Sequence, residues 1–394
     1  MTGSPRSILL AAGGTGGHMM PAHALAVELE RRGHSCALVT DARGGDVPGL
    51  FARMPRHVFD AGRMSGGVLR KLATTGRLIR NVLRLRRLLR ETRPAVVVGF
   101  GGYPALSALL AARLEHVPAV VHEQNAVLGR ANRLLARWAG RIALSFERTR
   151  RLPRRARMRA VHTGNPVRPE IARLAGEPYP PLDDEHMVRL LVLGGSLGAR
   201  VLSEVVPDAL SLLPPHLRKR LQVSQQCRAE DLERAGQRYA DAGIAADLAP
   251  FFEDVPERLR WAHIVIARAG ASTLAELTCA GRPAILVPLP IATDDHQTAN
   301  TAELVAAGGG WKVPQPEFTA TALAKRVQAL ARAPDTLLEA AQASQSLGRP
   351  DAALQLADLV EEVIAETAQD GAIAGRKTDA AEQEPGMHRR EALT

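Results

Sequence analysis

The sequence predicts an α/β protein of two Rossmann-like, parallel-sheet domains facing a cleft. Apolar runs of four to eight residues alternate with helical patterns, and the runs are continuous instead of alternating, as in strands buried on both faces. A strand running into a glycine loop also occurs near the start of each half: Ser-Ile-Leu-Leu-Ala-Ala-Gly-Gly-Thr-Gly-Gly from Ser7, and Arg-Leu-Leu-Val-Leu-Gly-Gly-Ser-Leu-Gly from Arg189.

The predicted strands of the first half are Ser7–Ala12, Ser35–Thr40, Ala95–Gly99, Ala119–His122 and Ile142–Phe146. Those of the second are Arg189–Leu193, Gln222–Ser224, Ile264–Ala267 and Ala284–Leu289. Leu25 and Leu29, at i and i+4, predict a helix from Pro21 that Gly33 stops. Val68–Arg90 reads as an amphipathic crossover helix with a basic face. The boundary falls near Gly164-Asn165-Pro166, dividing the chain into domains 1–164 and 165–350, and the polar, unperiodic stretch 369–394 is expected to be a disordered tail.

With 394 residues, 46% of them hydrophobic, the chain can bury two cores. The three cysteines, Cys36, Cys227 and Cys279, lack metal-ligand spacing and fit unpaired thiols in a reducing compartment. Ile8 to Ala12 is shorter than a secretory apolar region, so no signal peptide is expected, and no uncharged run approaches the ~18–20 residues that span a bilayer. The net charge of +10 favours polyanionic partners, while 3% aromatic residues leave little for the stacking platforms of single-strand nucleic-acid binders.

Four loops follow predicted strands: Gly13–Gly17 with His18, Gly99–Gly102 with Tyr103, Gly194–Gly198 with Ser196, and the segment around Gly270 between Arg268 and Ser272. Backbone amides and helix N-termini at such places attract a diphosphate. Gly-Gly-Thr-Gly-Gly does not fit the dinucleotide fingerprint, Asp41 is a poor ribose ligand and there is no P-loop, which leaves a nucleotide-sugar diphosphate. Glu276 either reaches a ribose or closes a capping box with Thr273. Arg268, ending a buried strand, calls for an anion. Asp294 or Asp295 caps the next helix, with Gln297 and Asn300 in its first turn, and Gln297 is a candidate for sugar hydroxyls. His122-Glu123-Gln124-Asn125 sets four polar groups at a strand end, and His18 is either a general base or a cap.

Together, Gly-Gly-Thr-Gly-Gly-His at 13–18, Gly-Phe-Gly-Gly-Tyr at 99–103, His-Glu-Gln-Asn at 122–125, Gly-Asn-Pro-Val-Arg at 164–168, Gly-Gly-Ser-Leu-Gly-Ala at 194–199 and Asp-Asp-His-Gln-Thr-Ala-Asn at 294–300 closely resemble the MurG family. That family is the UDP-N-acetylglucosamine:undecaprenyl-diphospho-muramoyl-pentapeptide N-acetylglucosaminyltransferase of peptidoglycan synthesis. The resemblance implies the GT-B fold, UDP-N-acetylglucosamine in the second domain, acceptor in the first, and a last helix near 351–368 crossing back. It implies donor contacts by Thr15, Gly16, Gly17, Asn125, Arg168, Ser196, Arg268, Glu276, Gln297 and the backbone of Phe252. It also implies His18, Tyr103, Glu123 and Asn125 around the acceptor, with His18 and Glu123 as acid–base candidates. Leu197, where relatives often carry glutamine, and Met20, where an aromatic residue is common, depart from the pattern.

No D-x-D motif is present, so a metal-independent inverting transfer without a cofactor is expected. Arginines on Val68–Arg90, and seven more between Arg148 and Arg159, suit an anionic membrane surface rather than nucleic acid. The enzyme is accordingly expected as a peripheral protein on the cytoplasmic face of the inner membrane. Alternative readings are another GT-B transferase such as a diacylglycerol glycosyltransferase, a UDP-N-acetylglucosamine 2-epimerase, or a basic nucleic-acid binder.

Overall fold

The computed structural model describes residues 5–45, 51, 54–59, 68–182, 187–195 and 198–382, with 68–73 and 370–382 as backbone only. Ser196 and Leu197 lie outside the described residues.

Two parallel sheets organise the chain. The first contains β1 (Ser7–Ala11), β2 (Ser35–Asp41), β3 (Arg56–Phe59), β4 (Val96–Gly99), β5 (Ala119–Glu123), β6 (Arg141–Leu144) and β7 (Ala160–His162), in the order β3-β2-β1-β4-β5-β6-β7. The second contains β8 (Val188–Leu193), β9 (Leu221–Gln226), β10 (Ala245–Ala249), β11 (Ile264–Ala267), β12 (Ala284–Leu286) and β13 (Gly310–Lys312), in the order β10-β9-β8-β11-β12-β13. Each chain path reverses direction next to its first strand, between β1 and β4 and between β8 and β11, and a crevice opens there at the carboxyl ends of the strands.

The central strands are those the sequence predicts, because Ile8, Leu10, Val96, Val98, Leu190 and Val192 are fully buried between helices. The edge strands β3, β7, β10 and β13 escape the pattern. Being covered on fewer sides they lack a continuous apolar run, as in the largely exposed Ala-Ala-Asp-Leu-Ala of β10.

Helix α1 (Gly16–Arg31) starts five residues before the expected Pro21, since the glycines themselves wind into its first turn with Thr15 at the N-cap. Helix α2 (Val68–Thr92) buries Leu85 and Leu89 against the sheet beside α3 (Gly102–Leu114). The last helix crosses back to the first domain, where Leu356, Leu359, Val360 and Val363 share a core with Ile8, Leu10, Leu25 and Leu29. Arg32 fastens it through Asp358 at 2.6 Å and Glu361 at 2.8 Å. It runs from Ala352 to Glu382, beyond the expected end at Ala368. The expected tail is therefore helical over 369–382, where alanine-rich sequence prolongs the helix already begun, and 383–394 lie outside the described residues. No helix among the described residues is long and apolar enough to cross a membrane.

Candidate active site

A cleft of about 930 Å³ lies between the domains. Thr15, Gly16, Gly17, His18 and Asn125 line it from one side, and Arg168, Gly194, Phe252, Arg268, Glu276 and Gln297 from the other.

On the first wall two glycine loops interlock. Gly13 N donates to Gly101 O at 3.2 Å, Gly101 and Gly102 have φ of +98° and +77°, and a Cβ on Gly102 would stand 3.0 Å from Gly13 Cα. Asp41, at the end of β2, lies beneath the first loop, its carboxylate bound by the Arg43 backbone N at 3.1 Å and the Arg43 side chain at 2.9 Å. A Cβ on Gly14 would collide with that carboxylate, so Asp41 shapes the loop.

His18 occupies the first turn of α1, not a cap, and its Nδ1 lies 3.1 Å from Thr15 Oγ1. Burial, reinforced by His296 and Arg43, lowers its pKa to about 4, with Asp41 and Gly13 acting in the opposite sense. The imidazole is therefore neutral at neutral pH.

Glu123, expected as an acid–base and acceptor residue, is buried and is not among the residues lining the cleft. Its Oε1 accepts from Asn125 N at 3.0 Å and Asn125 Nδ2 at 3.2 Å, and its Oε2 from Gly129 N and Asn132 Nδ2, both at 2.8 Å. Burial raises its pKa against these four bonds. Folding of the following loop over the strand end turns the carboxylate into a scaffold. Tyr103 is also outside the cleft lining; its hydroxyl donates to Thr74 O at 3.4 Å, on the side facing α2.

On the second wall, α4 (Ala271–Cys279) begins immediately after Gly270, so its N-terminus opens toward the cleft, and Ser272 Oγ donates to Gly17 O at 3.5 Å. Glu276 is consequently in the second turn, too far along the helix for the alternative capping box, and no side-chain cap forms. Burial raises its pKa, opposed by Arg168 at 3.6 Å, whose Nε is itself buried without a partner.

Arg268 has no carboxylate partner among the described residues. It donates to the carbonyls of Val287 and Pro288 at 3.1 and 3.2 Å and to Gln315 Oε1 at 2.7 Å. Gln297 Oε1 accepts from Leu289 N at 2.9 Å. Phe252 is packed beneath the guanidinium of Arg258, 3.7 Å from the ring centre. Neither Asp294 nor Asp295 caps α5 (His296–Ala306) with its side chain; Asp294 is drawn instead to arginines of the first domain.

Sequence reasoning missed His296 and Gln315 as cleft-lining residues and Arg43 as a neighbour of His18. His296 carried a signal, its place in the Asp-Asp-His-Gln run at 294–297, whereas Gln315 and Arg43 carried none. The three cysteines are buried and unpaired, and no cluster of metal-ligating side chains occurs among the described residues. A cationic side chain, glycine-loop amides and a helix N-terminus on one wall suit an anionic diphosphate; a neutral imidazole on the other can accept a proton.

Two family models match the chain: the glycosyltransferase family 28 N-terminal domain over residues 8–144 and the glycosyltransferase family 28 C-terminal domain over residues 189–356. A relative from Zymomonas mobilis subsp. mobilis is 52% identical over 384 residues, covering 98% of this chain and 99% of its own length. One from Novosphingobium aromaticivorans is 54% identical over 361 residues, covering 92% and 93%. Both are named UDP-N-acetylglucosamine--N-acetylmuramyl-(pentapeptide) pyrophosphoryl-undecaprenol N-acetylglucosamine transferase. Among solved structures, Acinetobacter baumannii MurG superposes with a TM-score of 0.72 at 32% identity, covering 91% of this chain and 100% of that one.

Proposed function

The chain belongs to the MurG family of glycosyltransferases, and on that premise we propose that it moves N-acetylglucosamine from UDP-N-acetylglucosamine to undecaprenyl-diphospho-muramoyl-pentapeptide, turning lipid I into lipid II. The observation that carries the reading is a cleft with anion-binding groups on one wall and His18 on the other.

In this reading a muramoyl hydroxyl attacks the anomeric carbon from the face opposite UDP, the bond from that carbon to the diphosphate oxygen breaks, and configuration inverts. The step uses the tautomer in which Nδ1–H of His18 donates to Thr15 Oγ1, leaving the Nε2 lone pair to take the hydroxyl proton. Charge appearing on the departing diphosphate meets the N-terminus of α4, Arg268 and the glycine loop at 194–198, with Ser196 contributing from that loop, and needs no metal. Glu276, braced by Arg168, takes the ribose; the backbone of Phe252 reads the uracil; Gln297 holds the sugar. Thr15, Gly16 and Gly17 close over the donor from the opposite wall. Asn125 and Glu123 act as the frame of the acceptor side, and Tyr103 lies farther along it toward α2.

The enzyme is peripheral, working at the cytoplasmic face of the inner membrane. Ile79 and Leu83 are each 56% exposed on α2, among the exposed Arg80, Arg84 and Arg87, a combination suited to anionic lipid and not to nucleic acid. The second basic segment offers less than its seven arginines suggest: Arg151 pairs with Asp294, and Arg159 is bonded to the carbonyls of Ala136 and Ala139.

The test is incubation of purified protein with labelled UDP-N-acetylglucosamine and lipid-linked muramoyl-pentapeptide. Label entering the lipid phase supports the proposal. Label entering only when diacylglycerol replaces that acceptor overturns it in favour of the other transferase.

A further inference from the structure

Six non-glycine residues among those described have left-handed backbone, and three of them gather at one point of the domain interface: Arg151 (φ 63°), Asp294 (φ 55°) and Asp295 (φ 52°). Such strain persists only where the surroundings over-determine it, and it concentrates at functional sites. What holds it here is an ion cluster. Asp294 Oδ1 lies 2.7 Å from Arg151 Nη1 and 3.7 Å from Arg130 Nη2, while Oδ2 accepts from Arg133 Nη2 at 2.9 Å. The Asp294 side chain is only 14% exposed. All three arginines belong to the first domain and the aspartate to the second.

Asp294 stands two residues before His296 and three before Gln297, both of which line the cleft. His296 is also one of the groups that lower the pKa of His18 across it. The strained turn thus sets how the second domain presents its sugar-side residues to the proton acceptor of the first.

We propose that Asp294 is a positioning residue, whose capture by Arg130, Arg133 and Arg151 locks the turn that aims His296 and Gln297 at the His18 wall. The proposal rests on the transferase reading of the cleft. It differs from a role in turn geometry alone, because glycine adopts φ > 0 freely and would serve that role without a carboxylate.

The test compares the full-length wild type with Asp294→Gly, Asp294→Asn, Asp294→Arg, and a charge reversal combining Asp294→Arg with Arg133→Glu and Arg151→Glu. The expected result is that Asp294→Gly and Asp294→Asn both lose about tenfold or more in kcat, while KM for UDP-N-acetylglucosamine moves by less than about threefold and unfolding midpoints stay within the spread of surface variants. The reversal is expected to recover part of the lost kcat relative to Asp294→Arg alone. Wild-type kcat in Asp294→Gly, or a reversal that recovers nothing, overturns the proposal. If the wild type itself transfers no sugar to the lipid acceptor, the transferase reading fails first. The cluster is then judged by interdomain distance from fluorescence energy transfer: a longer or broader distance in Asp294→Asn supports it, and an unchanged one overturns it.

Discussion

Asn300 Nδ2 donates across the domain interface to Asn125 Oδ1 at 3.2 Å, and the same fully buried side chain accepts from Ala126 N at 2.8 Å and donates to Ala269 O at 3.1 Å. Asn300→Ala would leave two backbone groups unpaired, one on each domain, at about 1–3 kcal/mol for each buried orphan. Asn125→Ala removes only a side-chain partner from Asn300 and one of four donors from Glu123. Its unfolding midpoint is therefore expected to fall less than that of Asn300→Ala, and chemical denaturation of the two variants would show the reverse order if the network were incidental.

Glu276→Ala should raise KM for UDP-N-acetylglucosamine by roughly 10- to 100-fold, the range expected when a hydrogen bond to a charged group is lost. Arg168→Met should have a smaller effect, and almost none in the Glu276→Ala background, since at 3.6 Å its service is to the carboxylate. Steady-state kinetics of the double-mutant cycle checks this; unchanged donor KM in a folded Glu276→Ala protein removes the residue from the site.

His18 makes a prediction about pH. Its neutral form accepts the proton, so activity is lost as pH falls through its pKa, which is lowered to about 4. The acidic limb of kcat/KM attributable to this group should accordingly lie near pH 4, below the ordinary histidine value. His296→Gln removes one cause of the lowering and should move the limb upward. His18→Ala should keep donor binding and lose about 10²- to 10⁴-fold in turnover. Near-wild-type turnover in His18→Ala would place the base elsewhere. Glu123 is then a poor substitute, because its carboxylate is buried and occupied by four hydrogen bonds.

Excess chelator should leave the transfer rate unchanged. Fixed dipoles and Arg268 supply the positive potential that a cation would otherwise bring, and a divalent-ion requirement in the assay would contradict that account.

Membrane binding should be distributed. Each exposed arginine near an anionic surface contributes about 1 kcal/mol at most, so single reversals at Arg80, Arg84 or Arg87 should shift vesicle affinity only a few-fold. Arg87 should matter less than Arg84, because Glu91 already pairs with it at 2.7 Å. The triple reversal should release the protein from vesicles containing phosphatidylglycerol, as judged by co-sedimentation; retention would exclude this face.

Legibility in the sequence tracked burial and chain proximity. Val96–Gly99 and Ile264–Ala267 are readable because both faces of a central strand are covered. Ala245–Ala249 is not, because half its surroundings are solvent. At the cleft, Arg268, Gln297 and the glycine loops sit where strand-end reasoning puts them. Glu276 remained ambiguous until the helix start was known, since an N-cap at Gly270 instead of Thr273 rules out the capping box. The aim of Glu123 depends on where Gly129 and Asn132 fold. One partner of Asp294 is Arg133, 161 residues away, a separation no local pattern encodes.

The returning helix also imposes a schedule on the newborn chain. Leu356 and Val360 seal a core whose other walls, Ile8, Leu10 and Leu25 among them, leave the ribosome near the start of synthesis. Through most of translation the first domain carries an open apolar groove, and its lid is among the last pieces delivered. A transcript truncated before Ala352 would thus yield a protein whose defect lies in its oldest part, and whose exposed groove would make it a client for chaperones and proteases.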